Sequence, residues 1–140
     1  MNLTDDEIKS IAEDLDCGMK VYINKVTNKI KSIINTNDLF YADDEFLYED
    51  LKEIEENFDQ YFEFEKMDSS ESFRVMEYFV ESIEDIELKK KLELGLDLSK
   101  PFRNFKDIID SETEYREKWF QFKNEKYIEY VKEQIEYIVH

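Results

Sequence analysis

Three arginines, Arg74, Arg103 and Arg116, stand in this chain against sixteen lysines. A guanidinium presents a planar fork of donors that an ammonium cannot imitate. Arginine in so lysine-biased a chain therefore marks positions where a carboxylate or phosphate could be held through two bonds. Two of the three share a local context, Phe73-Arg74 and Phe102-Arg103, each near an expected helix start. With Arg116 they would frame a small basic pocket for a carboxylate or phosphate. The competing expectation is local pairing. Arg74–Glu77 and Arg103–Asp107 are spaced i,i+3 and i,i+4, as helix-surface ion pairs are, and the chain has 36 acids to offer. Arg103 is further expected to reach a buried internal acceptor, because Phe102 and Phe105 should carry its stem towards the core. Trp119, with Tyr115, Phe120, Phe122 and Tyr127 around it, could line a pocket or an interface, but helical spacing favours a core position.

Other chemistry is thinly provided. The single cysteine, Cys17, excludes an intramolecular disulfide and fits a reducing compartment. With one histidine, His140 at the chain end, neither a zinc set nor a nucleophile–histidine pair can be assembled, and no catalytic residue is nominated. Paired acids such as Asp43-Asp44-Glu45 and Glu55-Glu56 lack the glycine of a calcium loop and read as solvated, so no metal site is expected. Cys17 beside Gly18 reads as a small packing residue at a helix end. With two glycines in all, no phosphate-cradling loop is present, and no cofactor is expected. A net charge of −17 argues against direct nucleic-acid binding, which needs a positive field to displace counterions. No apolar run approaches the roughly 20 residues of a spanning helix, and the acidic start has no signal-peptide core. A soluble cytoplasmic protein without membrane contact is the expectation.

The elements that must position these residues follow from capping and periodicity. Thr4-Asp5-Asp6-Glu7 is a capping box, and Ile8, Ile11, Ala12 and Leu15 form one stripe behind it. Gly18 can take the left-handed conformation that ends this helix. Met19–Asn24 and Lys29–Asn35 read as a β-hairpin, with Asn28 at positive φ in its turn. Phe46/Leu47, Leu51, Ile54 and Phe58 have helical spacing, and Tyr61–Glu65 alternates as a third strand. Asp68-Ser69-Ser70-Glu71 starts a helix striped by Phe73, Met76, Phe79/Val80 and Ile83. Leu88, Leu92 and Leu96 mark a second helix. Pro101 opens a third, lined by Phe102, Phe105 and Ile109. Ser111-Glu112-Thr113-Glu114 is a further capping box, leading a long helix whose buried side runs from Tyr115 and Trp119 to Ile138. The expected fold is α+β: an N-terminal helix, a small antiparallel sheet of about three strands, and C-terminal helices packed on it. With no linker-like composition, residues 1–140 are expected to form a single domain.

The blocks Phe73-Arg74-Val75-Met76-Glu77-Tyr78-Phe79-Val80, Phe102-Arg103-Asn104-Phe105-Lys106-Asp107 and Glu117-Lys118-Trp119-Phe120-Gln121-Phe122-Lys123, followed by Tyr127, occur in this order. In these blocks the chain resembles an uncharacterised bacterial protein family, number 158 of the UPF series. Val21–Ile30 is similar to that family's N-terminal Asp-Leu-x-Thr-Gly segment, with Asn24, Val26 and Asn28 as departures. The resemblance covers about Met19 to Tyr127. It implies a compact bacterial domain and no particular reaction, and it draws attention to Arg74, Arg103, Lys106, Asp107 and Trp119 as motif positions.

Residues 38–68 hold thirteen acids and two lysines, a local charge of −11, with Tyr41, Tyr48 and Tyr61 expected to be exposed among them. Such a surface steers basic partners. The favoured expectation is an acidic protein-interaction module for a basic protein, with an enzyme the less favoured reading. The alternative is a small-ligand or enzymatic site on Arg74, Arg103, Lys106 and Asp107, which requires the arginines to converge. As an assembly the chain is expected to be a monomer or a homodimer, the latter through the long C-terminal helix.

Overall fold

The N-terminal capping box forms as the sequence specifies. The Thr4 hydroxyl accepts from the Glu7 amide, and the Glu7 carboxylate accepts from the Thr4 amide. Helix α1 (Asp5–Asp16) then buries Ile8, Ile11, Ala12 and Leu15. It ends in a Schellman turn: the Gly18 amide donates to the Leu15 carbonyl and the Met19 amide to the Asp14 carbonyl, each at 3.0 Å. Gly18 takes φ +89°, which a side chain would strain. Here and below, the computed structural model describes residues 2–34 and 45–139.

Strands β1 (Lys20–Asn24) and β2 (Ile30–Ile33) pair antiparallel, Val21 opposite Ser32 and Ile23 opposite Ile30. Asn28 takes φ 63° in the turn. Buried Asn24 organises that turn: its Oδ1 accepts from the Val26 and Thr27 amides at 2.8 and 3.1 Å, satisfying a polar group that burial would otherwise penalise. Strand β3 (Tyr61–Glu63) pairs antiparallel with the other side of β1, giving the order β2-β1-β3.

Helix α2 (Glu45–Glu56) precedes β3 through a short 3-10 turn at Phe58–Gln60. Phe58, expected on the buried stripe of this helix, lies past its end and is 77% exposed. Asn57, whose amide and side chain both donate to the Glu53 carbonyl, takes φ −120° and ψ 34°, outside the helical region, and the tight turn that follows reorients Phe58. Ile54 of α2 packs with Ile33 and Tyr61, and Leu51 joins them.

The remaining described helices are α3 (Ser69–Glu81), α4 (Ile86–Asp97), α5 (Pro101–Asp110) and α6 (Thr113–Val139). The Asp68–Glu71 capping box forms on α3, and Asp85 caps α4 by accepting from the Leu88 amide. Lys100 supplies the left-handed residue before Pro101, at φ 58°. Ser111, expected to cap α6, instead donates its hydroxyl to the Ile108 carbonyl and closes α5; α6 begins at Thr113. Cys17, expected as a packing residue, is exposed. The fold is α+β, with an N-terminal helix, a three-stranded antiparallel sheet and C-terminal helices.

Contacts divide the chain into two compact units, Met1–Lys66 with Tyr127–His140, and Met67–Lys126. In the first, α1 and the sheet bury Ile11, Ala12, Leu15, Val21 and Ile23. The Glu65 backbone is bracketed by the Gln134 amide, accepting and donating at 2.9 and 2.7 Å. In the second, α3, α4, α5 and the start of α6 share one core of Met76, Phe79, Val80, Leu92, Phe105, Ile109 and Trp119.

Candidate functional site

The helical unit carries the motif residues, and its core explains the aromatic ones. Trp119 is 8% exposed. Its ring lies 4.7 Å from Phe105 and 5.3 Å from Phe79, centroid to centroid, in edge-on and tilted arrangements. These are the geometries that ring quadrupoles favour. Trp119 is thus a core residue. Phe102, expected to line the core, is 43% exposed and instead meets Phe73 edge-on at 6.4 Å.

The cations lie outside that core. Arg103 is 72% exposed at its side chain and approaches Asp107, equally exposed, at 4.0 Å. That corrects the expectation of a buried acceptor: Phe102 does not turn inward, so nothing carries the guanidinium under cover. Arg116 pairs with Asp110 at 3.4 Å and lies over the Phe120 ring at 5.3 Å. Arg74 is exposed, and the pair expected with Glu77 does not form; it has no ion-pair partner among the described residues. Lys106 is exposed. Of the six residues the sequence nominated, only Asp107 lines a described groove, and no two of the arginines share one.

A different arrangement emerges between α3 and α4. Glu77 and Glu81 on α3 face Glu93 and Asp97 on α4 across a cleft of about 250 Å³, floored by Phe73, Val80 and Leu96. Val80 and Leu96 are buried and Phe73 half-buried, because they belong to the stripes that join the two helices. The acids are exposed on the rims. Each rim is a like-charge i,i+4 pair, which costs a helix a few tenths of a kcal/mol and gains nothing locally. None of the four has an ion-pair partner among the described residues. The cleft therefore combines an apolar floor with a negative rim whose carboxylates form no ion pair among the described residues; the Lys89 ammonium donates to the Glu81 backbone carbonyl at 3.5 Å. Residue-by-residue reading missed these acids because acids are everywhere in this chain. The signal that could have found them is the pair of like-charge i,i+4 steps on consecutive helices.

A second charged cluster is internally satisfied. Lys31 on β2 is 16% exposed at its side chain and contacts Asp50 and Glu53 of α2, each at 2.7 Å. Burial works against its charge, but the hydrogen bonds to Asp50 and Glu53 outweigh it and raise its pKa above the ordinary lysine value. The Lys31 hydrogen bond, and then the Tyr61 hydroxyl donating at 3.0 Å, hold Glu53 below the usual carboxylate range. Tyr61, expected to be exposed among the acids, is accordingly buried, while Tyr48 is 67% exposed. Tyr41 and the pair Asp43-Asp44 lie outside the described residues. No helix among the described residues is long and apolar enough to cross a membrane.

No curated protein and no solved structure matches the chain significantly. One family model spans almost its whole length, residues 3–138, so the helical blocks and the N-terminal hairpin fall within a single match. The chain belongs to the Uncharacterised protein family (UPF0158).

Proposed function

We propose that this protein is an acidic interaction module that binds a basic partner, and that the cleft between α3 and α4 is where a cationic side chain of that partner docks. The observation that carries the reading is the rim of Glu77, Glu81, Glu93 and Asp97, without an ion pair among the described residues, over an apolar floor. Lysine and arginine have long apolar stems ending in a charge, so a stem lying on Phe73, Val80 and Leu96 would set its cation among the carboxylates. Asp107 and Asp110 of the same unit face Arg103 and Arg116 instead. The net charge of −17 adds long-range attraction for a basic partner, strongest at low salt.

Calorimetric titration with a short oligoarginine peptide tests this. The double variant Glu77→Gln, Asp97→Asn is expected to weaken binding about tenfold at low salt, while neutralising Glu55 and Glu56, which are also exposed, changes it little. Equal weakening by both variants would show that overall charge, and not the cleft, holds the peptide.

A further inference from the structure

The other flank of α4 bears a second, largely apolar groove. Lys91 and Leu94 of α4, Leu98 just past its end, and Asn104, Asp107 and Ile108 of α5 line it, and its volume is about 330 Å³. Leu94 and Leu98 are 60% and 55% exposed there. The groove is held in shape from beneath. A Cβ on Gly95 would lie 3.1 Å from Ile108 Cδ1 and 3.3 Å from Asn104 Cβ, so the two helices approach as closely as glycine permits. The Asn104 side-chain amide donates to the Gly95 and Ser99 carbonyls, both at 2.9 Å, which fixes α5 against the end of α4. Such a groove needs little reorganisation to receive an apolar side chain.

We propose that this groove is the second half of the docking surface and that the partner is a basic segment carrying a leucine-like residue close in sequence to its cation. The proposal rests on the α3–α4 cleft being the cation site. Charge complementarity selects the occupant. Leu94 and Leu98 each follow an acid with no ion pair among the described residues, Glu93 and Asp97, so α4 and the residue after it present apolar side chains to one groove and carboxylates to the other. A second copy of this chain would bring −17 against −17, and an acidic apolar peptide would meet the same repulsion. The negative end of the α4 dipole adds to the attraction at Asp97. Lys91 and Asp107 both line this groove, so it has no net negative charge to compete for the partner's cation.

The spacing follows from the helix between the two grooves. A helix with its side chains is about 10 Å across. An extended segment advances about 3.3 Å per residue, so a chain crossing α4 places its cation and its apolar residue about three residues apart.

The test uses two short synthetic peptides of arginine, glycine and serine, one with leucine about three residues from each arginine and one with serine in its place. Fluorescence anisotropy is expected to show the leucine peptide binding the parent protein about tenfold tighter than the serine peptide. The double variant Leu94→Ser, Leu98→Ser, at exposed positions that should leave the fold intact by circular dichroism, is expected to remove that advantage and leave the serine peptide unaffected. If both peptides bind the parent equally, or the variant keeps the preference, the groove proposal is wrong while the cleft reading stands. If neither peptide binds at low salt, both fall.

Discussion

At the scale of single residues, exposure separates side chains that look alike in sequence. Trp119 and Phe120 are neighbours, yet the first is 8% and the second 48% exposed. Trp119→Ala should cost about 3–5 kcal/mol, seen as an earlier urea midpoint, whereas Phe120→Ala should stay within about 0.5 kcal/mol. A Trp119→Ala midpoint equal to the parent's would remove the tryptophan from the core. The Arg103–Asp107 contact is long and wet, and exposed pairs at this spacing are worth about 0.3–0.5 kcal/mol. Arg103→Lys and Arg103→Ala should therefore both unfold within that margin of the parent. A large loss in either would mean that the guanidinium holds something the geometry does not explain.

Among the elements, α2 depends most on a single polar contact. Its described buried side is slight, with Ile54 buried and Leu51 partly so, while Lys31 joins both Asp50 and Glu53 to the sheet. Lys31→Met leaves two carboxylates facing each other without their cation, and α2 amides should then exchange hydrogen several-fold faster than those of α3. Unchanged exchange in α2 would contradict the clamp. Glu53 is held below its ordinary value, so its contribution is present above about pH 4.3 and lost as pH falls through its folded value. Lys31 is held above its ordinary value, so its contribution is full below about pH 10.4 and lost as pH rises through the folded value. Protection of α2 should thus be level between those limits and fall first on acidification.

Most of the elements are legible in the chain, because capping boxes at Thr4 and Asp68, the Gly18 turn and the Asn28 hairpin act over a few residues. The clamp is not, since Lys31 lies nineteen residues from Asp50 and pairing across that distance leaves no periodic trace. The cleft is half legible: Phe73 and Val80 lie on the helical stripe of α3 and Leu96 on that of α4, but which acids rim it depends on how α3 and α4 meet. Phe102 misleads for the same reason, its helix facing Phe73 at that point and not the shared core.

For the whole molecule, charge governs the response to solvent. The described ion pairs are few and mostly exposed, while the net charge is −17. Sodium chloride shortens the Debye length from about 10 Å at 0.1 M to about 3 Å at 1 M, relieving repulsion that strains the folded chain more than the unfolded one. The melting temperature should rise by a few degrees over that range, and a fall would mean that the ion pairs outweigh the repulsion. The same salt should weaken capture of a basic partner, so stability and binding are expected to move in opposite directions. The most direct test of the cleft is a backbone amide chemical-shift titration of the labelled protein with an arginine-rich peptide at low salt. The account predicts perturbations centred on Phe73, Glu77, Glu81, Glu93 and Asp97 that fade as salt is added. Perturbations spread evenly over the acids, or concentrated on residues 38–68, would contradict it.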